Sequence, residues 1–174
     1  MHQPFYKDLV TGEYKLPWTR LHALKDYRGM VQVLQDFPEV HQTFNLVPSM
    51  MVQVEEYASG KASDRFLKCA LQPAETLSDE ERAFILTYFF QANPSRLIYR
   101  YPRYGELYDA WMAADRNVAR TCRMFDAQSF RDLQVLSQLA WFDADSLQGD
   151  PEIRDLVAKR RGYSVSDQAR LGRK

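Results

Sequence analysis

Apolar side chains recur along most of this chain at intervals of three and four, the spacing that lines one face of a helix. Leu24, Tyr27, Met30, Val31 and Leu34 mark a first helix over residues 23–36, and Phe37-Pro38 stops it, since a proline disfavours helical backbone at the residue before it. Residues 40–46, Val-His-Gln-Thr-Phe-Asn-Leu, are short and partly β-branched and predict the one strand of the chain. Pro48 then opens a helix to about Ala58, with Gly60 just past its end. Ser63 is placed to cap a helix running through Leu71. Ser78-Asp-Glu-Glu81 has the spacing of a capping box, and the helix it opens carries Phe84, Ile85, Tyr88 and Phe89 until Asn93-Pro94 ends it.

Residues 104–124 read as helix, with Leu107, Tyr108, Trp111 and Met112 on one face. Another runs from Ser129 to about Ala140 and leads into Trp141-Phe-Asp143. Asp150-Pro151 begins a helix closed at Gly162, and Ser166 caps a last one that the chain end cuts short. Many helices and one strand admit two readings: a helical bundle, or the first segments and a helical insertion of a larger α/β domain whose other strands lie elsewhere.

Composition narrows function mainly by exclusion. The chain has 174 residues, the size of a single domain, and its 45% hydrophobic and 13% aromatic content is that of globular material. Twenty-three Lys and Arg balance 23 Asp and Glu, so nothing in the charge points to nucleic acid or an anionic membrane. The basic cluster Lys159-Arg160-Arg161, with Arg170, Arg173 and Lys174, reads as a solvated helix end. Cys69 and Cys122 have no metal-ligand spacing, which suits a reduced, cytoplasmic setting. The longest apolar run, Phe84 to Phe90, is too short to span a bilayer.

The chemistry lies in four short stretches. His2-Gln3-Pro4-Phe5-Tyr6 is polar and stiff, with no apolar strand ahead of it. It is followed by Leu16-Pro-Trp-Thr-Arg-Leu-His22, by Gln42-Thr-Phe-Asn-Leu-Val-Pro-Ser49, and by Asp132-Leu-Gln with Leu139-Ala-Trp-Phe-Asp143. In this order, across essentially the whole chain, they resemble the conserved segments of the family 57 glycoside hydrolases, in the amylase-like branch with a long helical insertion after the second strand. The resemblance implies an α/β fold: a mostly helical amino-terminal piece of a (β/α)7-type barrel, residues 1–174 forming one incomplete domain with a helical insertion over about 50–140. It implies retaining cleavage or transfer on α-glucans, which takes two carboxyl groups about 5–5.5 Å apart. The family's glutamate nucleophile and aspartate acid/base are expected beyond Lys174, so no catalytic residue is assigned in this chain. No organic cofactor, metal, nucleic acid or membrane is implied, and the partner is an α-glucan or oligosaccharide.

What remains for these residues is substrate positioning. By resemblance His2 and Gln3 lie at the carboxyl end of the first barrel strand, facing the sugar, where barrel enzymes keep their active groups. Trp18, Arg20 and His22 alternate along a segment read as extended, so that all three share one side: Trp18 to stack on a pyranose, Arg20 to hold a carboxylate in place. For each the structural reading stays open, with Trp18 in the core, Arg20 in an ion pair and His22 as a packing group. Asn45 sits at the end of the predicted strand, within reach of the cleft or as a turn former before Pro48. Lys25 and Asp26 read as solvated, His41 as a strand-edge or core residue, Trp141 and Phe142 as core, and Asp143 as a cap or turn residue.

A parallel barrel with one or two strands cannot close, and its unpartnered faces stay exposed. The isolated chain is therefore expected to be marginal or aggregation-prone, and inactive for want of its carboxylate pair. The rival reading is a stand-alone helical binding module derived from such an enzyme.

Overall fold

Helix-forming periodicity dominates the fold as it does the sequence. The computed structural model describes residues 3–174. Helix α1 (Trp18–His22) runs through a wider, π-type turn (Ala23–Tyr27) into α2 (Arg28–Gln32) and a tighter last turn, Val33–Asp36. Then come α3 (Pro48–Ala58), α4 (Arg65–Leu71), a short turn at Ala74–Thr76 and α5 (Asp79–Tyr88). A π-type turn at Pro94–Ile98 precedes α6 (Pro102–Ala113), α7 (Val118–Met124), α8 (Ala127–Leu139), α9 (Ala144–Gly149), α10 (Pro151–Lys159) and α11 (Val165–Leu171).

The chain packs as two units, one built from the chain up to Lys68 with Trp141–Ala144, the other from Cys69–Ala140 and Asp145–Lys174. In the first unit the predicted strand over residues 40–46 does not form, and the described residues form no barrel. Among the described residues the β-pairing consists of isolated bridges, Lys7 with Tyr14 and Tyr14 with Asp64. A single parallel strand satisfies its backbone only by pairing with neighbours, and residues 40–46 stay mostly exposed instead. The opening segment is fastened by a buried amide. Gln53 accepts from the Tyr6 backbone N–H at 3.0 Å and donates to the carbonyls of Pro4 and Ser49 at 3.0 and 2.9 Å.

Asp64 ties this unit together. It takes Oη of Tyr57 at 2.8 Å and Nε of Arg20 at 3.4 Å, and caps α4 through the Leu67 N–H at 2.7 Å, so the cap is Asp64 and not Ser63. Tyr14 packs its ring on Tyr57, centroids 4.9 Å apart, and donates to Glu56, which also pairs with Lys7. Apolar side chains on and after α2 and α3 face outward, among them Met30, Val31, Val33, Met51 and Val52.

The second unit has a denser core. Ile85, Leu86, Ile98, Tyr104, Leu136 and Leu156 are among its fully buried side chains. The capping box at Ser78 and Glu81 forms. The expected 104–124 helix breaks into α6 and α7, because Asp115 and Arg116 both take φ near +55° before Asn117 caps α7. Helix α8 is buried on every side from Phe130 to Leu139, its polar residues included. Buried polar groups call for partners. Gln134 donates to the carbonyls of Cys69 and Gln72 at 2.5 and 2.9 Å, and Gln168 to those of Ala70 and Gln72 at 2.6 and 2.9 Å, satisfying carbonyls that the end of α4 leaves open.

The last helix is capped by Ser164, not Ser166, in a capping box with Asp167, and it ends at Leu171 before the chain does. Burial raises the Asp167 carboxyl, but hydrogen bonds from Lys159 and Ser164 outweigh it and hold its pKa at about 2. A depressed carboxylate contributes stability that is present above its unfolded pKa near 4 and lost as pH falls toward 2. Asp167→Asn is therefore expected to cost about 2 kcal/mol at neutral pH. It should also flatten the unfolding free energy between pH 4 and 2, read from urea melts across that range. An unchanged acid limb in the variant would assign the effect to other carboxylates.

Candidate functional site

The first unit gathers aromatic and titratable side chains along the opening helix. Trp18 and His22 stand one turn apart on α1, ring centroids 6.4 Å apart. Trp141 meets both edge-on, 6.1 Å from Trp18 at 61° and 5.7 Å from His22 at 84°. Two indoles and an imidazole thus form a corner, with Trp18, His22 and Trp141 all half-buried. On the other side of the imidazole the Tyr27 ring stacks at 6.3 Å and 30°. The segment bearing Trp141 is held by the Asp143 N–H, which donates to the Leu24 carbonyl at 3.1 Å. Leu24 lies in the π-type turn.

Charge is distributed beside this corner. His22 Nδ1 lies 2.5 Å from Asp26 Oδ2, Lys25 pairs with the other oxygen of the same carboxylate, and Lys25 Nζ lies 5.9 Å from the centre of the Trp141 ring. Burial pushes the Asp26 carboxyl upward, but hydrogen bonds and charge from Lys25 and His22 more than reverse it, and the net pKa falls below the ordinary value. Asp26 is therefore a carboxylate at neutral pH and can only accept, which puts the proton of His22 on Nδ1. Burial also pushes the Tyr27 hydroxyl up, keeping it neutral.

This arrangement can bind a polyhydroxylated ring. Indole surfaces stack on the apolar C–H face of a pyranose, while an imidazole nitrogen, an ammonium and a carboxylate take up hydroxyls at its edge. Among the described residues no group of three or more His, Cys, Asp or Glu side chains is placed to hold a metal ion. No helix of these residues is long and apolar enough to cross a membrane.

The structure separates the residues that sequence placed together. Trp18, Arg20 and His22 lie on a helix and not on an extended segment, so the spacing of four unites Trp18 with His22 while the spacing of two turns Arg20 away, onto buried Asp64. His2 lies outside the described residues. Gln3 accepts from the Tyr6 hydroxyl at 2.9 Å. Asn45 is exposed in the stretch before Val47, which precedes the first residue of α3. His41 is exposed, at no strand edge. Three residues of the corner were read from sequence as core or solvated: Trp141, Lys25 and Asp26. The 18-22-26 spacing was the available signal, for it sets an indole, an imidazole and a carboxylate on one helical face.

The family model described as Glycosyl hydrolase family 57 matches residues 1–141. No curated protein and no solved structure matches the chain.

Proposed function

The chain belongs to glycosyl hydrolase family 57, and on that premise we propose that it is the amino-terminal, substrate-positioning part of a retaining hydrolase or glucanotransferase acting on α-glucans. The observation that carries this is the corner of Trp18, His22 and Trp141 with Asp26 and Lys25 beside it. In this reading Trp18 and Trp141 supply the stacking surfaces. His22, oriented by Asp26, hydrogen-bonds a sugar hydroxyl through Nε2. Gln3, and His2 ahead of it, extend the polar edge, and Asn45 serves a neighbouring sugar.

Arg20 acts indirectly in this reading. Its guanidinium, paired with Asp64, fixes α1 and with it the direction in which Trp18 and His22 point. The insertion over about 50–140 is carried as helical support, and the carboxylate pair that breaks the glycosidic bond belongs to later strands. The chain by itself then binds glucan without turning it over, in a cytoplasmic setting. A stand-alone binding module would behave alike in binding. It is favoured by the self-contained core and capped helices of residues 69–140 and 145–174.

The test is direct. The purified 174-residue chain is expected to bind maltooligosaccharides in isothermal titration and to release no reducing sugar from them. Trp18→Ala should weaken binding at least tenfold, as expected when a stacking ring is removed. His22→Ala should do so by less. Release of reducing sugar would overturn the positioning-only role, and equal affinity in the Trp18 variant would remove the corner as the site.

A further inference from the structure

A second aromatic hollow lies in the other unit, and nothing in the reading above uses it. A cavity of about 410 Å³ is lined by Phe90, Tyr108, Trp111 and Met112, with Thr87, Gln91 and Arg116 among its polar lining. That volume falls toward the small end of ligand pockets. Its aromatic wall is orderly. Phe90 and Trp111 are buried and nearly parallel, 16° apart with centroids at 6.3 Å, and Tyr108 is tilted against Phe90 at 5.7 Å.

The polar groups have mixed donor and acceptor character. Thr87 Oγ1 donates to the Ala83 carbonyl at 2.7 Å, which leaves its oxygen lone pairs to accept. The Gln91 amide does both. Arg116 is set by the turn that separates α6 from α7: its backbone N–H bonds the Trp111 carbonyl at 3.1 Å and its Nε lies 3.4 Å from Met112 Sδ. One guanidinium among neutral groups is a poor match for a phosphate or a polyanion. Flat apolar surface beside a hydroxyl, an amide and a guanidinium suits a neutral ligand with one apolar face and an edge of hydroxyls.

We propose that this hollow is an accessory glucan-binding cleft, in which Tyr108, backed by the buried Phe90 and Trp111, receives the C–H face of a glucose unit while Gln91, Thr87 and Arg116 bond its hydroxyls. It rests on the α-glucan reading for its ligand class, but on residues separate from the Trp18 corner. A cleft of this kind retains a long polymer on the protein and raises the local concentration of chain ends at a second site.

The three indoles of the chain, Trp18, Trp111 and Trp141, make the two sites separately readable. The full chain carrying Trp18→Phe and Trp141→Phe keeps Trp111 as its only indole, and the Trp111→Phe chain keeps the other two. Titration with maltooligosaccharide is expected to change the Trp111 emission saturably. Tyr108→Ala should raise the dissociation constant so read roughly five- to tenfold, and Gln91→Ala should raise it by less. Both positions are at least partly exposed, and an unchanged circular dichroism spectrum shows that the variants fold. A response from Trp18 and Trp141 with a silent Trp111 overturns the cleft and leaves the corner standing. A response from Trp111 alone supports the cleft and removes the corner, and silence in both chains removes both.

Discussion

Asp132→Ala is expected to destabilise the second unit by about 2–4 kcal/mol, the cost of taking the acceptor from buried backbone and amide donors. Asp132 is 2% exposed in the middle of α8 and serves four donors. Its Oδ1 accepts the backbone N–H groups of Gly162 and Tyr163 at 3.0 and 3.1 Å and the Gln128 amide at 2.9 Å, and its Oδ2 takes Arg103 Nε at 3.0 Å. The two backbone donors belong to the turn after α10, where Arg160 and Gly162 both have positive φ, so the carboxylate holds a backbone conformation that the chain alone would not favour. Tyr163, the next residue, is buried and bonds the Leu156 carbonyl at 3.0 Å, so the loss spreads to the packing of α10. Asp132→Asn keeps an acceptor for the turn while giving up the charge opposite Arg103, and should fall between wild type and alanine. Urea melts with hydrogen exchange at Gly162 and Tyr163 provide the measurement. A cost below about 1 kcal/mol for alanine would show that water takes over those donors.

In the first unit the corresponding change is Asp64→Ala, with an expected loss of about 3–4 kcal/mol. The carboxylate is 1% exposed, and its removal takes the acceptor from the Tyr57 hydroxyl and the countercharge at 3.4 Å from Arg20, while uncapping α4. The lost cap accounts for about 1 kcal/mol of that. Burial first, and the Asp64 charge and hydrogen bond after it, hold the Tyr57 phenol above its ordinary range. The variant's Tyr57 should therefore ionise at lower pH in an ultraviolet titration. Because Arg20 ties α1 to Asp64, the same variant should also weaken maltooligosaccharide binding at the Trp18 corner. Loss of stability with unchanged affinity would detach Arg20 from positioning.

Much of this architecture is written locally in the chain. Caps and breakers announce α3, α5 and α10 through Pro48, the Ser78–Glu81 box and Asp150-Pro151, because each acts within one helical turn. The failures come where distant residues decide. Val40 to Leu46 has strand-like composition, but strand formation requires neighbours, and a pattern of β-branched residues does not specify whether they exist. The break between α6 and α7 depends on two consecutive left-handed residues, Asp115 and Arg116, neither of them glycine. Nothing in the local spacing marks it. Helix α8 hides its polar contacts from local spacing: Asp132 and Gln134 are buried, and their partners at Tyr163, Cys69 and Gln72 are far away in sequence.

The candidate site shows the same division. Read as extended, residues 18–22 set Trp18, Arg20 and His22 on one side, whereas the helix they form keeps Trp18 and His22 together and turns Arg20 away. Read as a helix, the spacing of four would have selected Trp18, His22 and Asp26. Trp141 could not be found that way, since its place in the corner depends on a chain excursion more than a hundred residues later.

That excursion bears on how the protein can be cut and inherited. The chain passes from one unit to the other after Lys68, returns after Ala140 and leaves again after Ala144. Neither unit is thus a continuous cassette. A recombination event at Lys68 would deliver Trp18 and His22 without Trp141, the third wall of their corner, and it would leave the rest of the chain with a four-residue interruption that belongs elsewhere. Here Trp141 joins the corner on the return path, so any exchange that kept the three rings together would have to bring both ends of the excursion with it.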